Sequence, residues 1–342
     1  MNNKPKVSII IPVYNTERYL AECLHSAVNQ TLTDIEIICI NDASTDSSGE
    51  ILDKFAKNDQ RIKLIVHRIN GSSSQSRKEG VFTATGKYIM FMDSDDSLDK
   101  NACEFLYNCM EEKQVDVLQF GTYVEPINSV KQTSVEFFIR FAKPFSGYLY
   151  GNRVFDACFK EKKYRFNLWN KIYKTEICKS AFSFIENVPI PKAQDLYAYF
   201  IISWLARSYY GIEDKFYHYR YGAGLTGSLA KAGVERFRVY CSQKDVADKI
   251  RHFLCIQDAW DAYASVWFDL YNELLNECLW YWINNIEPVD GAESFDLLTG
   301  FWGKDTVYER IIKKCSLNQK KEIIMKAAGA YELITTADRE AY

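Results

Sequence analysis

Apolar and polar residues alternate in short blocks through the first hundred positions. Residues 7–11 are a β-branched run, Val7-Ser8-Ile9-Ile10-Ile11, stopped by Pro12, which predicts a buried strand. Asn15-Thr16 then supply a helix N-cap signal, and Tyr19, Leu20, Cys23, Leu24, Ala27 and Val28 recur at helical spacing. A second strand is predicted over 35–40, a polar turn over 42–46 and a helix around Ile51, Leu52 and Phe55. A third strand follows at 62–66, a helix at 73–83 and a fourth strand at 88–92. This β-α-β-α-β-α-β order with short connections predicts an α/β fold. Its sheet is Rossmann-like and mostly parallel, with helices on both faces and right-handed crossovers. Ligands of such sheets bind beyond the carboxyl ends of the strands. Tyr14-Asn15, Asn41-Asp42 and the acidic run from Asp93 to Asp96 all follow strand ends and are therefore expected to converge.

The pattern changes further along. A helix is expected over 98–110 and a strand over 115–120, followed by an irregular aromatic stretch through Trp169 and a helix over 196–206. Gly211 and the run from Gly222 to Gly227 are breakers, the latter reading as a mobile loop. From about Val234 the periodicity is mainly helical, with Trp260, Trp267, Trp280 and Trp282. We expect a first half at 1–100, a second half of the same domain at 101–228, and a helical C-terminal appendage at 229–342.

Composition narrows the class. With 342 residues and 47% apolar content the chain can bury a sizeable core. Its 23 Tyr and 7 Trp either fill that core or line a site for flat polar ligands such as sugars and bases. A net charge of -3 gives no basic excess for nucleic-acid binding. The ten Cys form no C-x-x-C pair, and Cys23 and Cys39 lie in apolar runs, so buried reduced thiols are expected rather than zinc. No signal-peptide pattern opens the chain. The uncharged apolar stretch at 196–206 is far shorter than the roughly 20 residues that span a bilayer. The expectation is a cytoplasmic protein, with contact at the inner face of the membrane left open.

The strongest chemical signal is Asp93-Ser94-Asp95-Asp96. Three carboxylates this close repel one another unless a cation relieves them, and Mg²⁺ or Mn²⁺ suits carboxylates together with substrate phosphates. In an extended chain Asp93 and Asp95 share one face. The alternative is an acidic turn that caps the next helix. Neither the dinucleotide fingerprint G-x-G-x-x-G nor the phosphate loop G-x-x-x-x-G-K-[ST] occurs, and the first loop, Pro12-Val13-Tyr14-Asn15-Thr16, has no Gly. A metal is then expected to hold the phosphates in place of a Gly-rich turn.

These residues carry a resemblance to the family 2 inverting glycosyltransferases of the GT-A fold, of the bacterial surface-glycan type. Val7 to Asn15 resembles that family's opening. Asn41-Asp42-Ala43-Ser44-Thr45-Asp46 resembles its Asp-Asp-Gly-Ser-Thr-Asp turn, with Asn41 and Ala43 departing from it. The stretch from Gly71 to Gly80 is similar to its Gly-rich segment ending in Ala-Arg-Asn, with Lys78 in place of Asn. Phe91 to Asp96 matches its D-x-D segment. The resemblance is strong over the first hundred residues and fades by Ser228.

The resemblance implies a nucleotide-diphosphate sugar, of UDP type, as donor, and Mg²⁺ or Mn²⁺ as cofactor. Pro12, Tyr14, Asn15, Asp42, Arg77, Asp93 and Ser94 are implied on the donor, Asp93 at the ribose and Asp95 at the metal. Gln194-Asp195 corresponds to the Glu-Asp pair that opens a helix and holds the general base, so Asp195 is the candidate base. The other reading of Asp195 is a helix-start residue favoured by the dipole. Trp169-Asn170-Lys171 resembles a segment near the acceptor, a saccharide or lipid-linked saccharide, but also reads as a packed Trp beside an exposed Lys. Tyr217-His218-Tyr219-Arg220 with Ser228 resembles a segment closing over the diphosphate, with His218 as a metal ligand and Arg220 on a phosphate. The departures at Asn41, Ala43, Lys78 and Gln194 motivate a second reading, a weakened module that binds sugar nucleotides or serves as a scaffold. The aromatic appendage is read as core packing, a peripheral membrane contact or a homodimer surface.

Overall fold

Val7–Val13 forms strand β1, and every one of its residues is buried. It lies at the centre of a parallel group, between β2 (Ile35–Asn41) and β4 (Tyr88–Phe91), with β3 (Ile62–Val66) outside β2. A strand covered on both faces tolerates no polar alternation, which is why Ile9, Ile10 and Ile11 follow one another. The helices α1 (Glu17–Val28), α2 (Ser48–Asn58) and α3 (Ser72–Thr83) connect these strands. At Gly80 in α3 an added Cβ would meet Ile10 Cγ2 at 2.5 Å, so this glycine allows α3 to seat closely on β1.

The strand does not stop at Pro12. Pro12 pairs with Ile40 and β1 runs on to Val13. The β1–β4 register ends at Ile10, whose carbonyl accepts the Met92 N–H. The missing proline donor thus falls on the side where β4 has already ended, so no ladder bond is lost.

The sheet continues through β5 (Ser97–Leu98), α4 (Ala102–Lys113), β6 (Val117–Pro126), α5 (Gln132–Ala142), β7 (Gly147–Tyr150) and α6 (Arg153–Phe159). After these come β8 (Lys171–Lys174), α7 (Thr175–Phe184), α8 (Gln194–Leu205) and β9 (Ser208–Tyr221). Among the described residues the strand order is β3-β2-β1-β4-β8-β6-β9-β5, with β7 beside β9. Strand β8 enters antiparallel between β4 and β6, and β9 runs parallel to β6. The mostly parallel α/β sheet flanked by helices is therefore found. Two details differ from expectation. The helix expected from Leu98 begins at Ala102, because Leu98 belongs to β5, paired with Tyr217 of β9. The strand expected over 115–120 extends to Pro126 along β9.

This computed structural model describes residues 4–127, 130–223 and 233–327. The run from Gly224 to Gly227 and Ser228 lie outside the described residues. Two compact units are present, one of residues 1–190 with 194–228, the other of 191–193 with 229–342. The second is helical: α9 (Val234–Cys241), α10 (Gln243–Ile256), α11 (Trp260–Asn285), α12 (Gly291–Trp302), α13 (Lys304–Lys314) and α14 (Leu317–Ala327). Trp267, Trp282 and Trp302 are buried in it, while Trp280 is exposed. The Trp282 indole N–H donates to Ser294 Oγ at 2.9 Å, so most of these aromatics serve the core. No helix among the described residues is long and apolar enough to cross a membrane. The cysteines are free thiols, most of them buried.

At the end of the sheet opposite the polar loops, the buried Glu36 carboxylate ties three segments together. Its Oε1 accepts from Ser8 Oγ (2.6 Å), Thr85 N–H (2.6 Å) and Gly86 N–H (3.0 Å), and Lys63 faces Oε2. Burial by itself pushes this carboxyl up, but the bonds from Lys63, Ser8 and Thr85 outweigh it and hold the pKa below its ordinary value. A depressed carboxylate stabilises the fold above its unfolded pKa, and that contribution is lost as pH falls through the lower folded value. Glu36→Gln is expected to cost about 1–3 kcal/mol at neutral pH, with the gap to wild type closing in acid, below about pH 4. Urea midpoints across pH check this; a gap that stays constant into acid would contradict it.

Candidate active site

The three strand-end loops are bonded to one another. Asn15 adopts φ +50°, a left-handed conformation that Asn tolerates. Its Oδ1 accepts the Thr45 N–H at 2.8 Å, and its own N–H donates to Ser44 Oγ at 3.1 Å. Thr16 N–H donates to Ser48 Oγ at 3.0 Å, and Thr16 Oγ1 bonds Ser94 Oγ at 3.1 Å. Thr16 sits at the start of α1 but makes no side-chain bond to its own helix; its hydroxyl links the first loop to the third instead. Pro12 is buried and Tyr14 is half-buried at the mouth of this junction.

The second loop keeps its shape despite its departures. Asn41 Oδ1 accepts the Ser44 N–H at 3.0 Å, the turn-closing work an aspartate would do. Ala43 stands at φ +59°, where a glycine is cheaper by about 1 kcal/mol. Asp42 is almost wholly buried. Its Oδ1 accepts from Gly71 N–H at 2.8 Å and lies 2.7 Å from His67 Nδ1. Lys78 donates to the Ile185 carbonyl, so this position anchors α3 to the segment after α7.

Arg77 is the hinge of the site. Its side chain is 5% exposed, and it reaches two carboxylates at once: NH2 donates to Asp93 Oδ1 at 2.7 Å and NH1 to Asp195 Oδ1 at 2.9 Å. Residues from α3, the third loop and the first turn of α8 are thus joined by one guanidinium. Burial and Asp195 push the Asp93 carboxyl up, against the opposing pull of Arg77. The Arg77 Nε–H and Gln194 Oε1 are buried and lack protein partners. Both stand beside the residues Arg77 joins.

The acidic run is a turn and not an extended segment, since the Asp96 N–H donates to the Asp93 carbonyl at 3.2 Å. Its members separate in role. Asp96 is spent inside the protein: Oδ1 accepts the Arg220 N–H at 2.7 Å and Oδ2 accepts the Tyr217 hydroxyl at 2.8 Å. The same hydroxyl accepts the Asp93 N–H at 3.0 Å, so Tyr217 fixes both ends of the turn. Burial, with Asp95 and Asp93 nearby, pushes Asp96 well up. Asp95 is different. Burial and the neighbouring Asp93 push its carboxyl up to about 6, against the pull of its own backbone N–H, and Arg220 NH1 bonds its main-chain oxygen at 2.9 Å.

Three expectations need correction. His218 does not meet Asp95. Its ring lies between Asp99 Oδ1 (3.0 Å from Nε2) and Glu125 Oε1 (2.6 Å from Nδ1), so both nitrogens are taken. Alternation along β9 puts Tyr217 and His218 on opposite faces, and only Tyr217 points to the acidic turn. Asn170 and Lys171 are fully buried. Asn170 Nδ2 donates to the Phe120 and Ala142 carbonyls, and Lys171 Nζ donates to the carbonyls of Arg165 and Asn167. Burial pulls the Lys171 pKa down to about 7. Their polar atoms secure the inserted strand β8 and are not presented to sugar hydroxyls. Trp169 is 4% exposed under a stack with Tyr217 and Tyr219, at ring distances of 4.9 and 4.8 Å.

Arg220 NH2 bonds Glu22 Oε2 at 2.7 Å, and its guanidinium lies 4.6 Å from the Tyr19 ring. Glu22 and His67 have no part in the sequence reading, and Tyr217 and Tyr219 enter it only as members of the 217–220 segment, without roles of their own.

The donor set at the turn is hard oxygen, which fits Mg²⁺ or Mn²⁺. Among the described residues no group of three or more His, Cys, Asp or Glu forms a closed cage. Asp95 is the carboxylate of this turn that could hold such a cation, with substrate phosphates and water as its other ligands.

The matched family model is Glycosyl transferase family 2, over residues 8–184, and the chain belongs to this family. It is 31% identical over 218 residues to the putative glycosyltransferase EpsH of Bacillus subtilis, covering 63% of this chain and 61% of that protein. Across curated relatives the matched part ranges from 18% to 61% of the relative's length. Among solved structures, S. aureus TarS 1-349 in complex with UDP superposes with a TM-score of 0.59 at 18% identity, covering 98% of this chain and 92% of that one. The mannosyltransferase PcManGT from Pyrobaculum calidifontis, in complex with GDP-Man and Mn²⁺, gives 0.51 at 14% identity, covering 99% of this chain and 81% of that one. These likenesses show the GT-A type of fold.

Proposed function

We propose that this glycosyltransferase moves a sugar from a UDP-sugar to a hydroxyl of a saccharide or lipid-linked saccharide, with inversion and with Asp195 as general base. The observation that carries this reading is the single guanidinium of Arg77 holding Asp93 and Asp195 together. It supports reading Asp93 as the donor-side carboxylate and Asp195 as the proton acceptor, with Asp42 and Tyr14 at the adjoining strand ends. The structures of TarS with UDP and of PcManGT with GDP-Man and Mn²⁺ support a nucleotide-diphosphate sugar as the donor.

Asp195 Oδ1 is occupied by Arg77, which leaves Oδ2 to take the acceptor's proton. As that proton leaves, the acceptor oxygen bonds the anomeric carbon. The bond from that carbon to the phosphate oxygen breaks, and its electron pair departs with the nucleoside diphosphate. Attack from the face opposite the leaving group inverts the anomeric centre. Arg220 is positioned to turn from Glu22 to a phosphate, a charge-assisted contact. A divalent cation bound through Asp95 would supply neutralisation of the charge on the departing diphosphate.

Asp95→Ala is expected to lower metal-dependent turnover by about 10³-fold, the equivalent of several kcal/mol of charge stabilisation. A panel of UDP-sugars assayed for hydrolysis with Mn²⁺, with and without chelator, checks it. Turnover near wild type would remove Asp95 from the metal role.

A further inference from the structure

His67 follows β3 directly and is assigned no part in the chemistry above. Its N–H donates to the Asn41 carbonyl at 2.9 Å, which pins its backbone to the end of β2. Its ring is 18% exposed and lies between two carboxylates: Nδ1 is 2.7 Å from Asp42 Oδ1, and Nε2 is 2.6 Å from Glu79 Oε2 of α3. These are the charged groups that face the ring, one from the end of β2 and one from α3.

An ionised carboxylate only accepts hydrogen bonds, and a neutral imidazole has one N–H. Both contacts are hydrogen bonds only when the ring is imidazolium. Asp42 Oδ1 also takes the Gly71 N–H at the start of α3. That oxygen is thereby held by two donors, which fixes the orientation of the carboxylate and of its Oδ2.

We propose that His67 is a positioning residue for the donor pocket: as imidazolium it locks the Asp42 carboxylate in its binding orientation, so donor affinity depends on the protonation of this ring. The inference rests on the reading of Asp42 as a donor contact. Burial disfavours the charged ring, but its bonds to Asp42 and Glu79 outweigh burial and raise its pKa above the ordinary 6.5. When the proton is lost, one carboxylate faces a nitrogen lone pair across less than 3 Å. Either Asp42 loses its second donor or Glu79 is expelled from α3's contact with the ring. A neutral ring that keeps its proton toward Glu79 leaves Asp42 with one donor, and through that form affinity falls as pH rises through the ring's pKa.

The test is calorimetric titration with UDP in the presence of Mn²⁺, from about pH 6 to about pH 8.5. Wild type is expected to weaken about three- to tenfold across that range. His67→Gln keeps one donor and is expected to bind with little pH dependence; titration of UDP's own phosphate is common to both and cancels in the ratio. Glu79→Gln leaves Asp42 untouched and is expected to move the midpoint to lower pH. Melting curves for each variant separate misfolding from lost positioning. Parallel pH profiles in wild type and His67→Gln, or an unmoved midpoint in Glu79→Gln, would overturn the role of His67 while leaving UDP binding in place. Absence of UDP binding in wild type at every pH would overturn the donor reading, and this proposal with it.

Discussion

Asp195→Asn is expected to lower kcat by about 10²–10⁴-fold, the usual worth of a positioned general base. The UDP dissociation constant should stay within severalfold. Asparagine keeps a side-chain oxygen that can still accept from Arg77 NH1, so the frame joining α3 and α8 survives and only basicity is removed. The pattern that identifies a base is this separation: transfer lost, nucleotide binding kept. Thermal melting of the variant near the wild-type temperature would exclude a folding defect. Normal transfer by Asp195→Asn would mean that another group takes the acceptor's proton. It would also return Asp195 to the plainer role of a helix-start acid.

The four strands β1 to β4 were legible because each is a run of apolar residues bounded by polar turns, and because short connections between them leave little topological choice. Val7 to Ile11 reads as a buried strand on its own. The convergence of Asn15, Asp42 and Asp93 follows from strand order alone. What local pattern did not reveal depends on distant partners. Two residues, Ser97-Leu98, have no periodicity, and they form a strand only because Tyr217 and His218 lie alongside. Asp96 could not be assigned because both its partners, Tyr217 and Arg220, come from more than 120 positions away. Asn170 and Lys171 looked like ligand groups because polar residues beside a Trp suit a sugar. They are buried because β8 is threaded antiparallel between β4 and β6, a placement no local spacing encodes. His218 was misplaced by one step of strand alternation. Two of the departures from the family pattern have local structural work, Asn41 closing the turn and Lys78 capping a carbonyl.

Arg77→Met is expected to produce the largest loss of stability. The guanidinium is the cation between two carboxylates that are only about a quarter exposed, at 27% for Asp93 and 24% for Asp195. Removing one partner of a buried ion pair costs about 3–5 kcal/mol, because the remaining charge stays desolvated and unpaired. For a chain of 342 residues that corresponds to a fall in Tm of about 4–7 °C. Arg77→Lys should fall between, since one ammonium cannot offer the two-pronged geometry that reaches both acids. The double variant Arg77→Met with Asp195→Asn should recover part of the lost Tm, as one of the two stranded charges is neutralised. Additive losses in the double variant, or a single variant that melts within a degree of wild type, would show that the guanidinium does not hold these carboxylates together. The frame that places the donor side beside the proposed base would then need another explanation.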